Sequence, residues 1–367
     1  MTRQNLLARD LDEVLAATLD LWEELRGGGH IFITGATGFF GCWLLETFAW
    51  ANSRLSLGAQ ASILTRNPGN LAEKLPHLAD AGFDIVVGDI RSFDFPPGEF
   101  SHVIHAATES SAELNANQPQ LMFDTIVEGT RHCLDFASHA GARKFLLTGS
   151  GAVYGKQPSH LTHVPEDFTG SPDPLDPNSA YGEGKRAAEL LCALASERSG
   201  LEPKIARCFA FVGPYMKLDA HFAIGNFIRD RLEGERIVVR GDGTPLRSYM
   251  YASDLMIWLW RILFRGESCR AYNVGSDHAI SIADLAREVT AVDAGGGEGP
   301  SHTPVQILGT PVPGVPATRY VPSTARAQAE LGLRCSVPLH EAIKRTVAWN
   351  RFQRAGQPIA ETAEVSR

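Results

Sequence analysis

The chain has 367 residues, more than one average domain and fewer than three. With 44% hydrophobic and 21% charged residues it can bury a substantial core. Its net charge of −8 excludes the concentrated basic surface of a nucleic-acid binder, so an anionic ligand must be held by local donors.

The six cysteines (Cys42, Cys133, Cys192, Cys208, Cys269 and Cys335) are scattered, with no CxxC pair and no matching His spacing. They read as buried thiols of a reducing compartment, neither a disulfide framework nor a metal site. No apolar run reaches the roughly 18–20 residues of a membrane helix. The first fifteen residues are too acidic and too interrupted for a signal peptide, which makes the cytoplasm the expected compartment.

In chain order, Leu7, Leu11, Val14, Leu15, Trp22 and Leu25 predict an amphipathic helix over 5–26, ended by Gly27-Gly28-Gly29 and packed on the adjoining domain. Residues 1–29 thus form an N-terminal extension. Strands are then predicted at 30–34, 61–65, 83–87, 102–106, 144–148 and 203–208, with helices near 39–51, 70–80, 116–139 and 179–199. This alternation implies a parallel sheet covered on both faces, with ligands at the carboxyl ends of its strands. Residues 30–208 form this first domain. From 209 to 355 the rhythm breaks into helices near 221–233, 253–265, 281–291 and 339–352, separated by short strands and loops. That is a smaller α/β domain, interleaved with the first. Residues 294–316 are the least structured by composition, and 356–367 a polar tail expected to fray.

The first strand runs into Thr34-Gly35-Ala36-Thr37-Gly38-Phe39-Phe40-Gly41 and then a helix. Glycines let the backbone turn tightly and a pyrophosphate approach, and the helix N-terminus offers free N–H groups. The spacing is GxxGxxG rather than GxGxxG. Tyr181 and Lys185 stand four apart at the start of the helix predicted at 179–199, so phenol and ammonium share a face. A free tyrosine, with a pKa of about 10, is a poor base at neutral pH, and a neighbouring ammonium lowers that value. Ser150 follows the fifth strand in Thr148-Gly-Ser150-Gly-Ala-Val-Tyr154-Gly155.

Turn, hydroxyl and Tyr/Lys pair, in this order, resemble the extended short-chain dehydrogenase/reductase family, in its nucleotide-sugar epimerase/dehydratase branch. The resemblance implies a Rossmann doubly wound sheet and a smaller substrate domain. It implies catalysis by Ser150, Tyr181 and Lys185, with Lys185 also on the nicotinamide ribose. Cofactor contacts would come from Gly35, Thr37, Gly38, Phe39, Phe40 and Gly41, from Thr65 and Arg66, from Asp89 (at the adenine) and Ile90, and from Ala106, Ala107 and Thr108. The second strand ends in Thr65-Arg66-Asn67 with no acid for the adenosine ribose, and an Arg fork suits a 2′-phosphate. The cofactor is thus NADP or NAD, leaning to NADP.

Arg207-Cys-Phe-Ala210-Phe-Val-Gly-Pro214 and Gly241-Asp-Gly-Thr-Pro-Leu-Arg247 with Asp254 resemble the branch's substrate elements. They imply a nucleotide-diphosphate sugar with its diphosphate on Arg247. Ser111, Ser150 and Asn226 are further substrate candidates. Ala210 departs from the usual Asn. Gly151-Ala152 stands where 4,6-dehydratases and UDP-glucuronate decarboxylases carry acids, and elimination of water needs a carboxyl to move a proton. A 4-epimerase is therefore favoured narrowly over an NADPH-dependent 4-ketosugar reductase. A dehydratase or decarboxylase, a reductase of a non-sugar carbonyl and a non-catalytic dinucleotide sensor stay as alternatives. Family members dimerise through the two long helices, where Ala187, Ala188, Leu191 and Leu194 could form a seam or face the chain's own core.

Overall fold

The computed structural model describes residues 6–79, 81–108, 111–220, 222–292 and 304–355. Strands β1 (His30–Thr34), β2 (Gln60–Thr65), β3 (Asp84–Val87), β4 (His102–His105), β5 (Lys144–Ser150) and β6 (Glu202–Cys208) pair in parallel. A seventh strand, β11 (Arg270–Val274), joins the edge beside β6 to give the order β11-β6-β5-β4-β1-β2-β3. Every residue of β4 and β5 is buried, as near-continuous apolar runs require in a sheet covered on both faces. At the opposite edge β3 is open, with Val87 62% exposed. The order reverses between β1 and β4, which creates a crevice at their carboxyl ends.

Helices α2 (Phe39–Leu55) and α3 (Pro68–Lys74) follow β1 and β2; α5 (Pro119–His139) and α6 (Ala180–Ser199) pack against each other on the face of β4 and β5. The helix expected at 116–139 is split: Ala112–Asn117 (α4) ends before Pro119, which opens α5 and cannot extend α4. Similarly, the stretch expected as one helix at 70–80 ends as α3 at Lys74, with Pro76 starting a separate short turn. Ala188 lies in the core beneath α5 and α6 and Leu191 packs against it, so these two face the chain's own interior.

The smaller part is built on helices α7 (Ala223–Glu233), α9 (Ile282–Ala291) and α11 (Leu339–Ala355). Its sheets are short: β7 (Phe211–Val212) with β10 (Met250–Tyr251); β8 (Ile237–Val239) with β13 (Val305–Ile307); and β9 (Leu246–Arg247) between β12 (Ile280–Ser281) and β14 (Arg319–Tyr320). Helix α8 (Ala252–Arg265) returns the chain to the large sheet ahead of β11, burying Trp258, Trp260 and Leu263 against it. Helix α10 (Ala325–Leu331), not anticipated from the sequence, packs beside β11.

The N-terminal helix α1 (Ala8–Thr18) is shorter than the expected span of 5–26; after a break, Trp22–Leu25 form only a 3-10 turn. Trp22 is fully buried against Trp260, with ring centroids 4.8 Å apart. The buried Asp10 carboxylate accepts bonds from Tyr251 Oη (2.7 Å) and Arg345, which ties α1 to β10 and α11. Glu24 accepts from Lys144 and His102 at the amino end of the sheet. The extension is thus part of the core. Two cysteines depart from expectation. Cys42, Cys133, Cys192 and Cys208 are buried, but Cys269 and Cys335 are exposed because each lies in a connecting loop.

Candidate active site

The Gly-rich turn lies at the crevice. Gly35 has φ +75°, and a Cβ there would come within 2.6 Å of the Ala106 carbonyl; a Cβ at Gly41 would come within 2.2 Å of the Gly35 oxygen. Side chains are therefore excluded where β1, β4 and α2 converge. Gly38 starts α2 with no side-chain cap, which leaves the helix's first N–H groups to a ligand. That donor set fits a pyrophosphate. Phe40 stands edge-on to Phe211 at 5.2 Å, and Lys74 Nζ donates to the Thr37 carbonyl (2.6 Å).

Around the crevice, Thr65 is buried at the end of β2 and its hydroxyl exchanges bonds with the Asn67 backbone, while Arg66 is exposed. Bonds from the Arg91 guanidinium (2.8 Å) hold Asp89 below the usual carboxylate range, with Arg66 adding to the effect. Ile90 is buried. Past β4, the N–H groups of Ala106 and Ala107 both donate to Thr34 Oγ1 (3.2 and 3.1 Å). That hydroxyl also meets His105 Nδ1 at 3.0 Å, and burial pushes the imidazole down to about 3, which keeps it neutral. Thr34 and His105 thus build the floor under the apolar segment.

Ser150 ends β5, and its Oγ accepts the Ala152 N–H (3.1 Å). Tyr181 is the second residue of α6. Its backbone N–H donates to Asn115 Oδ1 (3.0 Å), while Asn115 Nδ2 donates to the Asn178 carbonyl (2.8 Å). Asn115 therefore fixes where α6 begins and where its phenol points. Lys185 is buried one turn later and donates to Thr108 Oγ1 and the Thr148 carbonyl, both at 2.8 Å. The fold brings the three expected groups together.

Their electrostatics differ from expectation. Burial raises the Tyr181 phenol above its ordinary value, opposed by a hydrogen bond with Ser150, and the Lys185 ammonium is not what moves it. The ammonium lies 6.0 Å from the Tyr181 ring centroid and points at Thr108 and Thr148. Burial brings Lys185 itself down to about 8. Desolvation outweighs a charge held at that distance.

Beneath the site, Arg207 forms a fork with Glu189 (2.9 and 2.7 Å) and donates to Tyr154 Oη (2.8 Å) and the Glu166 carbonyl (3.1 Å). This is a buried brace between β6 and α6, which accounts for the Arg of that sequence element. Asp254, from the other element, accepts the N–H groups of Ser336 and Val337 (3.0 Å each) ahead of α11.

The substrate candidates are more scattered. Arg247 lies on β9, half-buried, with Nη1 on the Leu246 carbonyl (2.8 Å). Asn226 lies on α7 and accepts from Arg229 (3.3 Å), while Ser111 Oγ caps α4 by accepting the Leu114 N–H (3.1 Å). Both are engaged within their own helices. Sequence reasoning missed Asn115 and also Tyr320, whose ring lies on Phe209 with centroids 4.7 Å apart. No spacing signal links either residue to the Tyr/Lys pair. Among the described residues no His/Cys/Asp/Glu group could hold a metal, and no helix is long and apolar enough to cross a membrane.

Residues 31–275 match the NAD dependent epimerase/dehydratase family. The chain is 31% identical over 260 residues to UDP-glucuronic acid decarboxylase 6 of Arabidopsis thaliana, which covers 71% of this chain and 73% of the relative. Its fold matches the UDP-glucuronic acid 4-epimerase of Bacillus cereus (TM-score 0.72, 21% identity), solved with a fluorinated UDP-glucuronic acid and NAD; 88% of this chain and 99% of that one superpose. It likewise matches the dTDP-glucose 4,6-dehydratase of Streptomyces venezuelae, solved with NAD (0.71, 24%), over 89% and 98% of the two chains. With the Gly-rich turn and the Ser150, Tyr181 and Lys185 cluster on one crevice, the chain belongs to the NAD-dependent epimerase/dehydratase family, in the extended branch of the short-chain dehydrogenase/reductases.

Proposed function

We propose that the protein is a nucleotide-sugar 4-epimerase that oxidises the sugar at C4, lets the ketosugar turn, and reduces it from the other face. The observation that carries this reading is the turn after Ser150. Gly151 is pressed on the Phe209 ring, where a Cβ would come within 2.7 Å, and Ala152 supplies only a backbone N–H to Ser150. No carboxyl stands in that turn to move the proton that elimination of water requires. What remains is a hydroxyl, a phenol and an ammonium, sufficient for proton and hydride exchange at one carbon.

In this reading the Gly35–Gly41 turn and the α2 N-terminus hold the pyrophosphate, with Phe39 and Phe40 beside it. Asp89 and Ile90 take the adenine, and Ala106, Ala107 and Thr108 line the ring. Lys185 holds the nicotinamide ribose. When bound, the cofactor supplies a hydride acceptor and donor. Tyr181 takes the hydroxyl proton as C4 is oxidised, and Ser150 orients the oxygen. Arg247 grips the diphosphate through its fork. Arg66 and Lys74, two cations by the turn, favour NADP over NAD. Leu121, Leu190 and Leu194, exposed on α5 and α6, suit a homodimer seam on those helices, and the cytoplasm is the proposed compartment.

The test is mass spectrometry of the purified protein's bound cofactor, beside product analysis with UDP-, dTDP-, CDP- and GDP-sugars. One retained nicotinamide cofactor per subunit and a C4 epimer support the epimerase. Net consumption of NADPH points to the ketosugar reductase, and carbon dioxide from UDP-glucuronic acid to a decarboxylase.

A further inference from the structure

We propose that Tyr320 is a second proton-handling residue of this site, coupled to Tyr181 through the Ser150 hydroxyl that both phenols share. The proposal rests on the epimerase reading. Its geometry is built from the two parts of the fold. Strand β14 pairs in parallel with β9, which sets Tyr320 directly beside Arg247. The Tyr320 ring lies on Phe209, and the Phe209 ring lies over Gly151, so the phenol is fixed above the turn that leads on from Ser150. From there Tyr320 hydrogen-bonds Ser150, and Tyr181 hydrogen-bonds the same hydroxyl from α6. Burial first, and then the neighbouring Tyr181, keep the Tyr320 phenol above the ordinary range. Two anions so close repel, so the pair holds a single negative charge.

An epimerase has a use for two phenols. The sugar oxygen gives up its proton in one orientation and must regain one after the ketosugar has turned, when that oxygen has moved. A base fixed on α6 cannot be equally near both positions, whereas Tyr181 and Tyr320 flank one hydroxyl from different elements. The cycle balances. Tyr181 phenolate takes the proton of the sugar hydroxyl as the C4 hydrogen leaves as hydride to the oxidised nicotinamide. When hydride returns to the other face of C4, Tyr320 gives its phenol proton to the carbonyl oxygen. Ser150 then passes its proton to the Tyr320 oxygen and receives the Tyr181 proton, which restores Tyr181 phenolate with no net gain or loss. Elsewhere in the molecule, the exposed Cys269 and Cys335 are isolated thiols, and the Glu24–Lys144–His102 cluster is fully paired within the core.

The test compares wild type with Tyr320→Phe, which keeps the ring on Phe209. The cofactor-loaded proteins are mixed with the nucleotide sugar, while the near-ultraviolet absorbance of reduced nicotinamide and the epimer formed are followed together. In the variant, reduced cofactor should appear at the wild-type rate and persist, with epimer formation slowed on the order of 10²-fold. Epimer formation at the wild-type rate, or equal slowing of both half-reactions with only KM changed, overturns the proposal. A wild type that makes no epimer refutes the epimerase reading by itself. In a wild type that only reduces a ketosugar, an unchanged rate in Tyr320→Phe overturns the second phenol, and a comparable loss supports it.

Discussion

Two walls face each other across the crevice, and they are built differently. The floor, made of the Gly35–Gly41 turn, Ser150, Tyr181 and Lys185, stands on long elements of one buried parallel sheet and the helices that cover it. The opposite wall, with Arg247 and Tyr320, stands on two-residue strands that pair only with each other and with β12. A site on long, buried elements keeps its geometry without a ligand, whereas one on short strands and loops adapts to it. The floor therefore carries the chemistry common to the family, and the wall carries the choice of sugar and nucleotide.

The sharpest way to break this division is on the floor. Tyr181→Phe should lower kcat by roughly 10²–10⁴-fold while bound cofactor stays near the wild-type level, read from turnover and from mass spectrometry of the protein. Substantial residual turnover would remove Tyr181 from proton transfer. On the wall, Arg247→Met should act on binding instead: KM for the nucleotide sugar rises about 10–100-fold with kcat little changed, the loss of a charged hydrogen-bond partner worth about 1.5–3 kcal/mol. A fall in kcat with KM unchanged would move Arg247 to the floor's side of the comparison.

The pH profile sharpens the floor further. Burial lowers Lys185 to about 8, so the ammonium loses its proton as pH rises through that value. The free enzyme should then show kcat/KM falling on the alkaline side near pH 8. A decline beginning only near the ordinary lysine value of about 10.4 would mean that the ammonium is solvated. The smallest effect is expected at Ser111. As a cap of α4, Ser111→Ala should lower thermal stability by about 1 kcal/mol and leave KM for the sugar unchanged. A tenfold KM increase would restore Ser111 as a substrate ligand.

The same contrast explains what could be read from the residue order. Strands β1 to β6, the Gly-rich turn and the Tyr181/Lys185 pair announce themselves because their signals are local, as period, turn chemistry and i,i+4 spacing. Asn115 and Tyr320 do not, because pairing across the fold brings them to the site: Asn115 is 66 residues from Tyr181, and Tyr320 meets Arg247 only through β9 and β14. The broken N-terminal helix and β11 in the large sheet belong to the same class. Trp22 is drawn to Trp260, and β11 to β6, by tertiary packing that local propensity does not contain. Electrostatics escaped for a related reason. An i,i+4 pair shows that Lys185 can face Tyr181, but burial and the bonds to Thr108 and Thr148 decide where the ammonium points.

The most direct measurement of the central claim follows the C4 hydrogen. A nucleotide sugar deuterated at C4, the one whose binding the screen identifies, is converted by the purified, cofactor-loaded protein and its product analysed by NMR. Oxidation and return at one carbon by a retained cofactor predict the C4 epimer with deuterium still on C4 and no net change in cofactor. Deuterium lost from the product, or a product lacking water or carbon dioxide relative to the substrate, would contradict the epimerase.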